Sequence, residues 1–248
     1  MNYYDDYPLG HYKILDNQYC LDNQYDVIRA CNRREYYGFI ECDIECPKQL
    51  YHPVLPVKEG KLVFDLNDKR GVWCSNELYN ALDKGYKLKC IYEVRYYENT
   101  TKNIFKGYVS KFLKIKQEAS GYPDWVKGES DKDKYIKDYH TGQGILMDKD
   151  KIEKNPGLRA IAKLCLNSLW GKFGQRTNMG KTEIVNNMKD FYKILQNETY
   201  EDIQFQDIND DKILFSYKIK DKYVENDYNT SIAIASFTTA SARCRLYS

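Results

Sequence analysis

The sequence predicts an α+β fold on three observations. Residues 36–102 carry strand-type alternation, the spacing turns helical over 103–176, and mixed strand and helix follow before a closing helix rich in small residues. The 248 residues are 42% hydrophobic and 15% aromatic, enough to bury one large core or two smaller ones.

The first strand is read over 36–46, YYGFIECDIEC, where Glu41, Asp43 and Glu45 share one face and Cys42 and Ile44 the other, with Pro47 as terminator. KLVFDLNDKRGVWC predicts a hairpin around Asn67–Gly71, and Ser75 is placed to cap a short helix through Leu78 and Leu82 that stops at Gly85. KLKCIYEVRYYE predicts a further strand, with Leu88, Cys90, Tyr92, Val94 and Tyr96 alternating against charged neighbours. A turn is expected at Asn99–Asn103. After it Phe105, Tyr108, Val109, Phe112 and Ile115 recur at helical spacing, and Gly121 with Pro123 closes that helix. Residues 121–150 are polar and read as a tip. The next helix is announced by Asn155 as N-cap and Pro156 at the first helical position, where the missing N–H costs nothing, and it runs to about Phe173. From Thr182 strand and helix alternate, with a hairpin at DINDDKILFSYKI, and the last helix begins near Asn229 or Thr230.

Total charge says little about partners: 38 basic and 36 acidic residues give a net charge of +2, so any polyanion site must come from local clustering. The eight cysteines lack the paired short spacings of a zinc site, and no signal peptide precedes them, which predicts free thiols in a reducing compartment. Ser231–Ala242, the least polar late stretch, is broken by Ser and Thr and falls far short of the roughly 20 apolar residues of a membrane span, so a soluble protein is expected. His11, His52 and His140 are scattered and read as ordinary surface or structural residues.

The second long helix carries LCLNSLWGKFGQ, with Asn, Ser, Trp, Gly and Lys where helix propensity favours Leu or Ala. At 3.6 residues per turn Arg159, Lys163, Asn167, Trp170, Gly171 and Gly174 fall on one side, and Leu158, Ile161, Cys165, Leu169 and Phe173 on roughly the other. Cations, then an amide that donates and accepts, then an aromatic beside glycines, match in order the phosphates, sugar and base of a nucleoside triphosphate. A solvated cationic face with a partly buried Trp fits the same periodicity, and the residues alone leave both readings open.

LRAIAKLCLNSLWGKFGQ resembles the fingers motif, motif B, of family B DNA polymerases, particularly the protein-primed group of small bacteriophages, linear plasmids and viral or transposon genomes. The shared pattern is a Lys, Asn-Ser, an aromatic and Gly-Lys, here Lys163, Asn167, Ser168, Trp170, Gly171 and Lys172, with Lys151 and Arg159 at upstream basic positions. The resemblance implies that Lys163, with Lys151, contacts the triphosphate of an incoming deoxynucleotide, and that Asn167 and the aromatic face the nascent base pair. The expected nucleotide site is thus Lys151, Arg159, Lys163, Asn167, Trp170 and Gly171. The group most often carries Tyr where this chain has Trp170, which is bulkier and lacks the hydroxyl. SFTTASARCRLYS resembles the palm helix of the same group, implying that Thr239 and Arg243 touch the primer-template backbone; Lys172 is a further expected DNA contact.

On this resemblance 1–102 corresponds to a first insertion that grips the terminal protein and DNA, 103–176 to the fingers, 177–223 to a second insertion associated with strand displacement, and 224–248 to part of the palm. The fold expected is helical-hairpin fingers with two small β-rich insertions and one palm helix of an incomplete polymerase palm. The implied chemistry is template-directed deoxynucleotide transfer with two Mg2+ ions held by palm carboxylates. Neither metal-binding motif, an Asp followed by Ser-Leu-Tyr-Pro or an Asp-Thr-Asp, occurs in the sequence. The first would fall just before Met1 and the second shortly after Ser248, so no catalytic or metal residue is assigned, and the chain alone is expected to be inert. Glu41, Asp43 and Glu45 read as a solvated strand face, Asp210 and Asp211 as a hairpin turn, and MGKTE at 179–183 lacks the glycine a phosphate loop needs at Gln175. Expected partners are primer-template DNA, deoxynucleoside triphosphates and a terminal priming protein, with no membrane. The expected location is the cytoplasm or another intracellular replication site of a virus or mobile element. A non-catalytic DNA- or terminal-protein-binding module is the alternative.

Overall fold

A computed structural model describes residues 6–176, 178–224 and 230–247. The chain divides into two compact units, Met1–Gly171 with Ile232–Ser248, and Lys172–Ser231.

The first unit is built on a four-stranded antiparallel sheet in the order β2-β7-β3-β6, with β2 Lys13–Leu15, β3 Gly38–Glu45, β6 Lys69–Cys74 and β7 Lys87–Tyr96. Strand β3 alternates as its sequence dictates: Ile40, Cys42 and Ile44 are buried, while Glu41, Asp43 and Glu45 are partly exposed on the other face. The buried face packs on helices α1 (Asn17–Asp22), α2 (Gln24–Asn32) and α3 (Ser75–Asp83), around a core that includes Val27, Cys31, Leu78 and Ala81. Two small antiparallel pairs flank it. Strand β1 (Tyr7–Leu9) pairs with β8 (Asn99–Thr101), and β4 (Pro56–Glu59) with β5 (Lys61–Phe64) around Gly60.

Four local expectations are corrected here. No hairpin forms at Asn67–Gly71: β5 turns back on β4, and β6 pairs with β3. Asp65 and Asp68 instead shape that connection, Asp65 Oδ1 accepting the Asn67 N–H (2.9 Å) and Asp68 Oδ1 the Cys46 N–H (2.9 Å). Burial of Trp73 and Cys74 against β3 outweighs the local turn signal. Ser75 is the first residue of α3 rather than its cap, and its hydroxyl accepts the Gly38 N–H at 3.1 Å. Simple alternation fails in β7, because the register with β3 shifts between Glu41 and Cys42 and again between Asp43 and Ile44. Ile91 and Val94 thereby enter the core, and Cys90 and Tyr92 remain only partly covered. Lastly, Asn99–Thr101 are not a turn but the strand β8.

Helix α4 (Lys106–Glu118) and helix α6 (Pro156–Phe173) are the expected helical pair. Asn155 caps α6 as its sequence demands, its Oδ1 accepting the Leu158 N–H at 3.0 Å, and Pro156 occupies the first helical position. Backbone bonds from Glu153 N to Glu118 O (3.1 Å) and Asn155 N to Ala119 O (2.9 Å) stitch the end of α4 to the start of α6. Gly121 allows that approach. Its φ is +72°, and a Cβ there would lie 3.3 Å from Lys154.

The polar stretch between these helices is not a plain tip: it contains a further helix, α5 (Glu129–Gln143), with no buried residue. Electrostatics and aromatic edges hold it where apolar burial does not. Lys149 pairs with Glu129 (2.9 Å) and Asp133 (2.6 Å), and Tyr135 accepts from Gln117 Nε2 (2.7 Å) beside Tyr122 and Trp125.

The closing helix, α8 (Ile232–Leu246), starts slightly after the expected Thr230; the other expected start, Asn229, lies outside the described residues. It buries Phe237, Thr238 and Ala240, with the Phe237 ring stacked on Tyr37 at 4.6 Å.

The second unit is a three-stranded antiparallel sheet, ordered β10-β11-β9, from β9 (Lys181–Val185), β10 (Tyr200–Asn209) and β11 (Lys212–Ile219), with α7 (Met188–Leu195). Its core gathers Val185, Ile194, Phe215 and Tyr217. Asp210 and Asp211 sit in the β10–β11 turn, where the sequence placed them.

Candidate nucleotide-facing helix

Three residues of α6 lie exposed in a line: Lys163, Asn167 and Gly171. Spacings of four residues put them on one side of the helix. Among the described residues neither the Lys163 ammonium nor the Asn167 amide has a hydrogen-bond or ion-pair partner, and a Cβ built on Gly171 would meet nothing within 4 Å.

Trp170 closes this line from the inside. Its ring meets the Phe105 ring edge-on at 4.8 Å and stacks near-parallel to the Tyr7 ring at 6.3 Å, while Tyr7 and Phe105 meet edge-on at 5.2 Å. Tyr7 and Phe105 are buried, so the half-exposed indole has a fixed aromatic floor. Tyr7 is held in turn by Thr238. The Thr238 hydroxyl donates to Ile234 O (2.7 Å), which leaves its oxygen to accept from Tyr7 Oη at 3.1 Å.

The upstream cations are engaged. Arg159 Nε donates to Ser120 Oγ (3.0 Å), tying α6 to the end of α4. Lys151 pairs with Asp148 (2.9 Å), which raises the lysine and lowers the carboxylate from their ordinary values, hydrogen bonding being the larger cause in each. Lys172 is exposed and donates to Gln175 Oε1 at 3.0 Å.

The apolar side of α6 departs from expectation. Leu158, Ile161 and Leu164 are 45%, 59% and 65% exposed, and burial follows a narrower line through Ala162. Tyr108 Oη donates to Cys165 O at 3.0 Å across the two helices. The helix is packed on one edge and bare on two, because a two-helix pair covers only part of a helix's circumference.

On α8, Thr239 is exposed and its hydroxyl donates to Ala235 O (2.8 Å). Arg243, expected on the same face, is turned to the protein. Its guanidinium embraces Glu77 of α3 through two nitrogens, Nη2 to Oε2 at 2.8 Å and Nε to Oε1, and the Glu77 side chain is only 2% exposed. The pairing raises Arg243 further above its ordinary value. Sequence reasoning missed Glu77, Tyr7 and Phe105. Glu77 had one weak signal, a carboxylate at the start of a helix that the core covers, and its partner stands 166 residues away.

The expected pair of Mg2+ ions finds no fit in these residues. Among the described residues no group of three His, Cys, Asp or Glu side chains is placed to hold a metal. The strand carboxylates are otherwise occupied: Glu41 by Arg70 (3.0 Å), Asp43 by Tyr92 Oη (2.6 Å) and Glu45 by Lys89. No helix among the described residues is long and apolar enough to cross a membrane.

An exposed lysine, amide and glycine aligned beside a supported indole make a surface suited to a flat, anionic ligand. The chain belongs to the family described as DNA polymerase type B, organellar and viral, whose sequence profile matches residues 3–137 and 130–248. Among solved structures it is similar to phi29 DNA polymerase complexed with single-stranded DNA, with a TM-score of 0.50 and 15% identity over 98% of this chain and 31% of that one. It is also similar to phi29 DNA polymerase complexed with primer-template DNA and incoming nucleotide substrates, with a TM-score of 0.50 and 15% identity over 98% of this chain and 32% of that one. At that identity the likeness is one of fold, and this chain spans about a third of the length of those polymerases. No curated protein matches the sequence significantly.

Proposed function

We propose that this chain supplies the insertions, the fingers and one palm helix of a protein-primed DNA polymerase that adds deoxynucleotides to a primer against a template. Family membership supports the reaction class. The observation that carries the site is the unengaged row Lys163, Asn167 and Gly171, set beside an indole with a rigid floor.

In this reading Lys163 contacts the triphosphate. Asn167 and Trp170 face the base pair being formed, and Gly171 keeps the helix surface low where sugar or base approaches. Arg159 and Lys151 add positive potential at the phosphate end, Lys151 by exchanging Asp148 for phosphate oxygen. Thr239 and Lys172 meet the DNA backbone. Arg243 contributes by fixing α8 against α3 through Glu77, and it reaches DNA only if that pair opens. The metal-dependent step is left to carboxylates that this set of residues does not provide. Primer-template DNA, deoxynucleoside triphosphates and a terminal priming protein are the proposed partners, at an intracellular replication site of a virus or mobile element.

The test is Lys163→Ala in the full-length polymerase. Loss of one charge-assisted contact, roughly 1.5 to 3 kcal/mol, raises the nucleotide KM or lowers kcat about tenfold or more. Unchanged steady-state constants would remove Lys163 from the site. Primer-template binding, titrated against salt in gel shifts, is expected to weaken steeply as ionic strength rises.

A further inference from the structure

A cavity of about 450 Å³, lined by α3, α8 and Arg34, two residues past the end of α2, contains none of the α6 residues. Its wall holds an unexplained group. The Asn80 amide nitrogen is buried with no acceptor among the described residues, a state that native structures rarely leave unresolved. Other donors line the same space. Asn76 Nδ2 donates to Ser241 Oγ (2.9 Å), leaving the Ser241 hydroxyl proton to donate onward. Arg34 meets Asp83 twice, at 2.6 and 2.8 Å, but both bonds leave from Nη2; among the described residues its Nε and Nη1 have no partner. Arg245 adds a second guanidinium to the lining.

The backbone at Arg34 is left-handed. Its N–H bonds Cys31 O (2.9 Å) and the next N–H, of Glu35, bonds Ala30 O (3.1 Å), the helix-ending pattern that calls for a left-handed residue. Arg34 takes that conformation, φ +63°, at a position where glycine is the unstrained choice. A side chain is thus kept where helix termination alone would select none.

We propose that this cavity is a binding site for a phosphate group, held by Arg34 and Arg245 with Asn80 and Ser241 as neutral donors. Guanidinium forks plus neutral N–H and O–H donors suit a tetrahedral oxyanion, and the lining sets two guanidinium groups, Arg34 and Arg245, against one carboxylate, Asp83. A free mononucleotide and a phosphate of a nucleic-acid strand offer the same chemistry.

The test titrates the full-length protein with inorganic phosphate, deoxythymidine monophosphate and a short single-stranded oligonucleotide, using phosphorus NMR line broadening and calorimetry. Saturable binding is expected for at least one probe. Its affinity should fall about tenfold or more in Arg34→Gly and in Asn80→Leu, each removing donors to the anion, and should weaken as salt rises. Arg34→Gly relieves the left-handed strain, so it retains the parent melting temperature and separates lost binding from lost folding. Arg245→Gln, at an exposed position, gives the same loss without touching the core. Mononucleotide binding without oligonucleotide competition identifies a free nucleotide, and mutual competition identifies strand phosphate. Absence of saturable binding by all three probes, or affinities unchanged in all three variants, overturns the proposal. Lys163→Ala, which leaves this cavity intact, is the control that separates its failure from failure of the polymerase site.

Discussion

Gly171 is the residue whose environment bears most directly on its proposed role, because nothing among the described residues needs it to lack a side chain. With open space around it, Gly171→Ala is sterically accepted, and in a helix the exchange favours folding by about 0.5 to 1 kcal/mol. The expected outcome is a variant at least as stable in urea as its parent and poorer in nucleotide KM; an unaltered KM would mean that no ligand approaches this backbone. Glu77 presents the opposite case. Glu77→Gln leaves the Arg243 guanidinium largely covered without its countercharge, and a loss of about 3 kcal/mol in unfolding free energy is expected. Were Arg243 a surface contact for DNA alone, that substitution would leave the unfolding midpoint where it was.

Among the elements, α5 depends most on charge. Hydrogen bonds from Lys132 and Lys149, with the charges of both, hold the Glu129 carboxyl down to about 2 from an ordinary 4.5. The folded value lies below the unfolded one, so the stabilisation is fully present above about pH 4.5 and is lost as pH falls toward 2. Hydrogen-exchange protection of 129–143 should therefore weaken in that window before protection of β3 does, and Glu129→Gln should weaken it likewise at neutral pH. The same dependence explains why α5 was illegible in the sequence. It has no buried residue and hence no apolar period, and its acidic first turn with the closing Gly144 was all the signal it offered. By contrast α6 and β3 could be read directly, one from Asn155-Pro156 and the other from strict alternation, because each bears its determinants within itself. The β5–β6 connection misled because turn chemistry is local, whereas the choice of partner strand is made by the core. In the candidate site the row Lys163, Asn167 and Gly171 was legible for the reason α6 was. The floor under Trp170, built from Tyr7 and Phe105, was not, since no periodicity links residues so far apart.

Taken whole, the molecule keeps its eight cysteines as thiols, five of them buried and three partly exposed. Burial pushes the Cys31 and Cys74 thiols up to about 12 and the Cys20 thiol to about 11, so these are neither ionised nor accessible at neutral pH. A thiol-specific reagent at pH 8 should modify Cys90, Cys165 and Cys244 in the native protein and the other five only on unfolding; early labelling of Cys42 would show that the sheet core opens. The Tyr7–Thr238 hydroxyl bond spans 231 positions of chain, and Phe105 and Trp170 lean on the same ring. A ribosome works from one end, so Tyr7 emerges long before Thr238 exists. The aromatic knot therefore forms only after α8 has been made, and its formation marks the moment when a nascent chain acquires a finished support for Trp170.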